Sequence, residues 1–124
     1  MVYLIVFVGG GIGAAMRHAV NVAAARLLGT GFPYGTLTVN VVGSLIMGLL
    51  AGYFAFRGDA SQHWRLFLLT GILGGFTTFS AFSLDAGLLY ERGQLGVALL
   101  YVIASVAVSI TALFVGLFVM RTAP

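Results

Sequence analysis

Four stretches free of Asp, Glu, Lys and Arg decide what this chain can become. They are Val2–Met16, Leu27–Phe56, Leu66–Leu84 and Gly93–Met120. A helix that crosses a bilayer needs about 20 mainly apolar residues. The second and fourth stretches reach that length alone. The first does so by running past Arg17 toward Arg26, and the third by running past Asp85 toward Tyr90. Hydrophobic residues make up 60% of the chain and charged ones 7%, where a soluble domain carries roughly 25% charged residues. The expectation is a single all-α integral membrane domain over residues 1–124, with helices over about 2–28, 34–56, 66–90 and 94–120 and no soluble domain left over. A cleaved signal peptide is not expected, because Met1-Val2-Tyr3 puts no positive region before the apolar run.

Several function classes fall away on chemistry. With no cysteine there are no disulfides and no thiolate metal sites. The net charge of +3 rests on arginines scattered singly, unlike the one-sided basic clusters of nucleic-acid binders. His18 and His63 lack neighbours at metal-ligand spacing, and no Ser-His-acid set or carboxylate pair is present. No enzyme is expected. The run Val2–Val8 followed by Gly9-Gly10-Gly11-Ile12-Gly13-Ala14 imitates a strand entering a dinucleotide-binding turn. That turn wants an acidic residue about 20 positions further on, and the first acid here is Asp59. Small residues that let helices approach closely in lipid explain these glycines better.

Four spans put both termini and the second loop, Arg57–Arg65, on one side of the membrane. That side holds Arg57, Arg65 and Arg121, and the other holds Arg17, Arg26 and Arg92. Orientation follows the arginine and lysine bias of the loops, and an even division gives none. Insertion in both orientations follows, with opposed copies pairing about a two-fold axis in the membrane plane. The contrary reading is that Arg17 lies too deep to count and one orientation wins. Trp64 and Tyr53 fit an interfacial aromatic belt.

Polar groups at membrane depth are costly and mark function by default. Asn40, Ser44, Gly48 and Gly52 recur every four residues and line one helix face. Two readings of Asn40 stand side by side: an interhelical hydrogen bond beside a packing seam, or an amide donor facing a watery vestibule. Tyr101, Ser105 and Ser109 repeat the four-residue spacing on the last helix. They form a ladder of hydroxyls for a desolvated anion, or the serines bond back to their own helix. Arg17 and Asp85 pair with each other, or Arg17 snorkels to the interface.

The third span holds Gly71-Ile72-Leu73-Gly74-Gly75-Phe76-Thr77-Thr78-Phe79-Ser80-Ala81-Phe82. A glycine pair beside threonines is poor helix, so a break is expected near the middle of the span. Such breaks survive only where protein or water covers the freed backbone, and their carbonyls can coordinate sodium. Phe79 and Phe82 are three apart and share a face. Their rings have positive edges that can meet an anion, or they are ordinary packing.

Three segments, in order and one per helix, resemble the CrcB or Fluc fluoride channels over essentially the full chain. They are Gly9-Gly10-Gly11-Ile12-Gly13-Ala14-Ala15-Met16-Arg17, Gly35-Thr36-Leu37-Thr38-Val39-Asn40-Val41-Val42-Gly43-Ser44, and Gly74-Gly75-Phe76-Thr77-Thr78-Phe79-Ser80-Ala81-Phe82. The resemblance implies an antiparallel, dual-topology homodimer in the plasma membrane of a prokaryote, the inner membrane of a Gram-negative cell. It implies two narrow fluoride pathways and a structural sodium ion at the dimer centre, held by the backbone carbonyls of Gly74 and Thr77 from both subunits. Asn40 is then the pore-lining amide, Phe79 and Phe82 the paired rings, and Ser80, Tyr101, Ser105 and Ser109 the hydroxyl donors. The implied role is passive export of fluoride trapped in the cytoplasm. Departures from the family pattern are Ala81 for a threonine, His18 for an aromatic, Asp85 for glutamate and Leu113 for a threonine. They leave the sodium site and the phenylalanines intact and put the extent of the hydroxyl ladder in question.

The alternative is a proton-coupled small multidrug exporter, also four-helical and dual-topology. It needs an embedded carboxylate early in the chain, and the first span has none. A non-transporting assembly subunit would explain the glycine seams but not the Gly-Gly-Phe-Thr-Thr-Phe segment.

Overall fold

The computed structural model describes residues 1–57 and 61–122 and is all-helical in its regular structure there. Helix α1 spans Val2–Leu28 and α2 spans Tyr34–Arg57. The third span opens with α3, Gln62–Arg65, and widens into a π-helical stretch, Leu66–Leu73. It continues as α4, Gly74–Phe76, and α5, Phe79–Glu91. Helix α6 covers Leu95–Thr122. Four of these helical runs among the described residues are long and apolar enough to cross a membrane: Val2–Leu28, Tyr34–Phe56, Gln62–Glu91 and Leu95–Thr122.

Local chemistry sets the ends. Gly29 terminates α1 at φ 83°, with its N–H on the Ala25 carbonyl. Only glycine enters that left-handed region without cost. Gly93 does the same after α5 at φ 79°. Its N–H meets the Tyr90 carbonyl while Gln94 N–H reaches back to Leu89, the paired bonds of a Schellman stop. Pro33 lies one residue ahead of α2, and its carbonyl accepts from Leu37 N–H at 3.2 Å. The third span starts earlier than the sequence suggests. The Ser61 hydroxyl accepts from Trp64 N–H at 3.4 Å, so His63, Trp64 and Arg65 are helical instead of belonging to the loop. Residues 58–60 of that expected loop lie outside the described residues.

Glycine decides how closely the helices approach. A Cβ on Gly13 would collide with the Ile72 carbonyl, and one on Gly9 would sit 2.8 Å from Phe67 O. The backbone of α1 therefore lies directly on the π-helical stretch. Helices α2 and α6 form the most extensive pair. A Cβ on Gly48 would run into the Leu113 carbonyl, and one on Gly116 would lie 2.6 Å from Leu45 O. Phe82, Leu89, Ala98 and Tyr101 form a small buried cluster joining α5 to α6. Outward, Phe7, Phe114 and Phe118 stand exposed, as side chains facing hydrocarbon do.

Candidate functional site

Between α4 and α5 the backbone leaves the helix for two residues. Thr77 sits at φ −87°, ψ 159° and Thr78 at φ −155°, ψ 123°. Buried backbone groups must find partners, and side chains supply them here. Asn40 matches the Thr78 peptide on both sides: Thr78 N–H donates to Oδ1 at 2.8 Å, and Nδ2 donates to the Thr78 carbonyl at 3.0 Å. The Thr78 hydroxyl accepts from Ala81 N–H at 3.1 Å and so caps α5. Thr77 donates both its N–H and its hydroxyl to the Leu73 carbonyl, each at 3.0 Å. Arg17 Nε reaches from α1 to the Gly75 carbonyl at 3.1 Å.

The interruption also changes which carbonyl oxygens are engaged. Thr78 N–H, which would close a helical turn onto Gly74, goes to Asn40 instead. The Thr77 carbonyl accepts no hydrogen bond among the described residues.

Beside this segment an open groove of about 530 Å³ runs between α2, α5 and α6. It brings together Asn40, Phe79, Phe82, Ser105 and Ser109, with Ser44 and Leu113 also on its wall. The Phe79 and Phe82 rings are 5.5 Å apart and tilted by 52°. Phe82 is buried while Phe79 stays 76% exposed. The Ser105 and Ser109 hydroxyls are buried without a hydrogen-bond partner among the described residues. Among the described residues, no Asp, Glu, Lys, Arg or His lines the groove.

Two of the expected residues stand elsewhere. Ser80 is exposed, its hydroxyl 3.3 Å from that of Thr78. Tyr101 is fully buried, and its hydroxyl donates to Asp85 Oδ2 at 3.2 Å. Its ring meets Phe32 edge-on at 5.4 Å and Phe82 at 5.2 Å. Asp85 lines a second cavity of about 290 Å³ with Asn21, Thr36 and Arg92. Tyr101 thus parts from the serines and stands between the two spaces. No Arg17–Asp85 ion pair is found among the described residues: Arg17 Nε donates to the Gly75 carbonyl and Asp85 accepts from Tyr101. For Asn40 the interhelical bond is the geometry found, on the groove wall.

The sequence reading missed the Arg17–Gly75 and Tyr101–Asp85 bonds. A signal for the first was present: a helix interrupted in lipid orphans peptide groups, and nearby polar side chains without another duty are their natural partners.

The chain matches the family described as CrcB-like protein, Camphor Resistance (CrcB), over residues 4–117. It is 65% identical over 121 residues to the fluoride-specific ion channel FluC of Rhodopseudomonas palustris strain BisB5, with 98% of each chain covered. To the protein named fluoride-specific ion channel FluC 2 of Nitrobacter hamburgensis it is 63% identical over the same length and coverage. The FluC of Granulibacter bethesdensis is 55% identical over 122 residues, covering 98% of this chain and 96% of that one.

Proposed function

The chain belongs to the CrcB family, and on that premise we propose that it is a fluoride-selective passive channel that lets cytoplasmic fluoride leave the cell. The observation that carries the reading is the groove, where two buried hydroxyls without partners face a pair of phenylalanine rings. A buried donor left unpaired costs about 1–3 kcal/mol. An acceptor that sheds its water as it arrives recovers that cost. Fluoride is the halide with the strongest demand for donors, so hydroxyls, the second Asn40 N–H and positive ring edges suit it. The absence of fixed charge in the groove among the described residues suits a path that an anion must also leave.

The proton-coupled exporter is not favoured. Such a mechanism needs a carboxylate in the transport space, and Asp85 is bonded to Tyr101 beside the other cavity.

The working unit in this proposal is an antiparallel homodimer in the bacterial plasma membrane. It is supported by the open side of the groove, which a second copy closes. A sodium ion at the centre is part of the same proposal. Sodium prefers oxygen ligands, and the carbonyls of Gly74 and Thr77, left over by the interruption, fit it in donor type. Two copies supply four such oxygens. The ion would lend charge and rigidity to a seam made of bare carbonyls. Ser80 belongs to the pathway at its margin through Thr78, and Tyr101 by packing against Phe82.

The test is efflux from liposomes holding the purified protein, followed with a fluoride electrode. Fluoride should leave without a pH gradient while chloride stays behind. Phe79→Ile and Phe82→Ile should suppress the flux, and Ser105→Ala with Ser109→Ala should lower it. Equal loss of both halides would refute selectivity, and flux only under a pH gradient would favour the exporter.

A further inference from the structure

We infer that Arg17 is the positioning residue of the cation-holding centre: by engaging the Gly75 carbonyl it fixes which backbone oxygens of the interruption remain free for the ion. The inference rests on the sodium reading given above and adds a residue to it. Arg17 Nε donates to Gly75 O at 3.1 Å from another helix, 58 positions away in sequence. Its guanidinium is half-buried and has no carboxylate partner among the described residues. A charge held at membrane depth without a counter-charge needs a reason.

The geometry supplies one. Gly10, Gly13 and Arg17 are spaced by three and four residues and share a face of α1. The glycines bring backbone onto backbone: a Cβ on Gly75 would collide with the Gly10 carbonyl, and one on Gly13 would lie 2.8 Å from Phe76 N. That contact sets the short reach from Arg17 to Gly75. Residues of a helix sit about 100° apart around its axis, so Gly75 is placed against α1 while Gly74 stands on another side of the third span, away from α1. A carbonyl already engaged by a guanidinium is also closed to a second cation by charge repulsion. Gly75 is thereby removed from the set, and Gly74 and Thr77 are left in it. Asn40 performs the corresponding service from α2 by holding the Thr78 peptide. The interruption is gripped from two helices, and each grip withdraws one carbonyl.

The measurement is thermal unfolding of the purified full chain across a sodium titration, with an organic cation holding ionic strength constant. Sodium should raise the melting temperature of the unaltered protein. Arg17→Gln should shift the concentration for half-protection upward by about 10- to 100-fold, the usual effect of losing a group that orients a metal ligand. Arg17→Lys, which keeps the charge and a donor, should shift it less. Arg26→Gln, at an exposed position on the same helix, should leave it unmoved. If Arg17→Gln does not fold, the Arg17→Lys shift alone decides. A melting temperature lowered equally at every sodium concentration, with the half-protection point unmoved, overturns the positioning role and leaves the sodium reading intact. No protection of the unaltered chain by sodium overturns both.

Discussion

Near the middle of α2, Gly48 lies so close to α6 that a Cβ would meet the Leu113 carbonyl, and a Cβ on Gly116 would lie 2.6 Å from Leu49 N in return. Two turns earlier on α2, Asn40 holds an extended peptide at Thr78 with two hydrogen bonds. One region is a seam of backbone on backbone; the other is a gap in a helix closed by side chains. In lipid the seam has no hydrophobic drive behind it and depends on dispersion at close range. The gap depends on satisfying orphaned polar groups. The first fixes how far apart α2 and α6 stand, and so how wide the groove between them is. The second decides which backbone atoms are available at the groove's edge.

The contrast breaks most decisively at the seam. Gly48→Leu places a whole side chain where a Cβ alone collides with backbone, and overpacking of that kind costs about 3 kcal/mol. Unfolding followed by titration with a denaturing detergent should register a loss of that size, with fluoride flux falling alongside it. At the gap the expected loss is smaller. Asn40→Leu removes two hydrogen bonds and strands the Thr78 N–H and carbonyl, for a cost of about 2 kcal/mol. Amide hydrogen exchange should quicken at Thr78 while Leu113 and Leu45 on the seam keep their protection. Equal quickening at both places would show that the two regions are one cooperative unit.

This division explains what could be read from the residues alone. The spans were legible because a bilayer demands length and apolarity, and Leu95–Thr122 satisfies both without ambiguity. The glycines of α1 and α2 were legible as close-packing faces for the same reason. The Gly74–Phe82 segment announced poor helix through its composition. What did not follow was the pairing of polar groups. Spacing places Tyr101 on a line with Ser105 and Ser109, yet the tyrosine hydroxyl extends beyond the line and finds Asp85. A long side chain is not located by its Cα. Asn40 had two self-consistent readings because one amide can serve a peptide and a cavity together. The early start of the third span turned on one side chain, Ser61, whose cap has no periodicity to reveal it.

The smallest expected effect is at Gly74, and it shows best against the adjacent Gly75. A Cβ on Gly75 would strike the Gly10 carbonyl, whereas on Gly74 it would find nothing closer than Leu69 O at 3.7 Å. Gly74 is helical, at φ −61°, ψ −38°. Alanine there loses less chain entropy on folding than glycine, a gain of about 0.5 kcal/mol. Gly74→Ala should therefore raise stability slightly, while Gly75→Ala lowers it by about 1–3 kcal/mol through the clash with α1. Contact with α1 would then account for glycine at 75, while nothing among the described residues of the single chain requires it at 74. A measurable loss for Gly74→Ala would mean that the space beside it is filled by something outside the single chain. The proposed second copy is the first candidate, because its own Gly74 would approach the same point, and a loss that fades on dilution toward monomer would identify it.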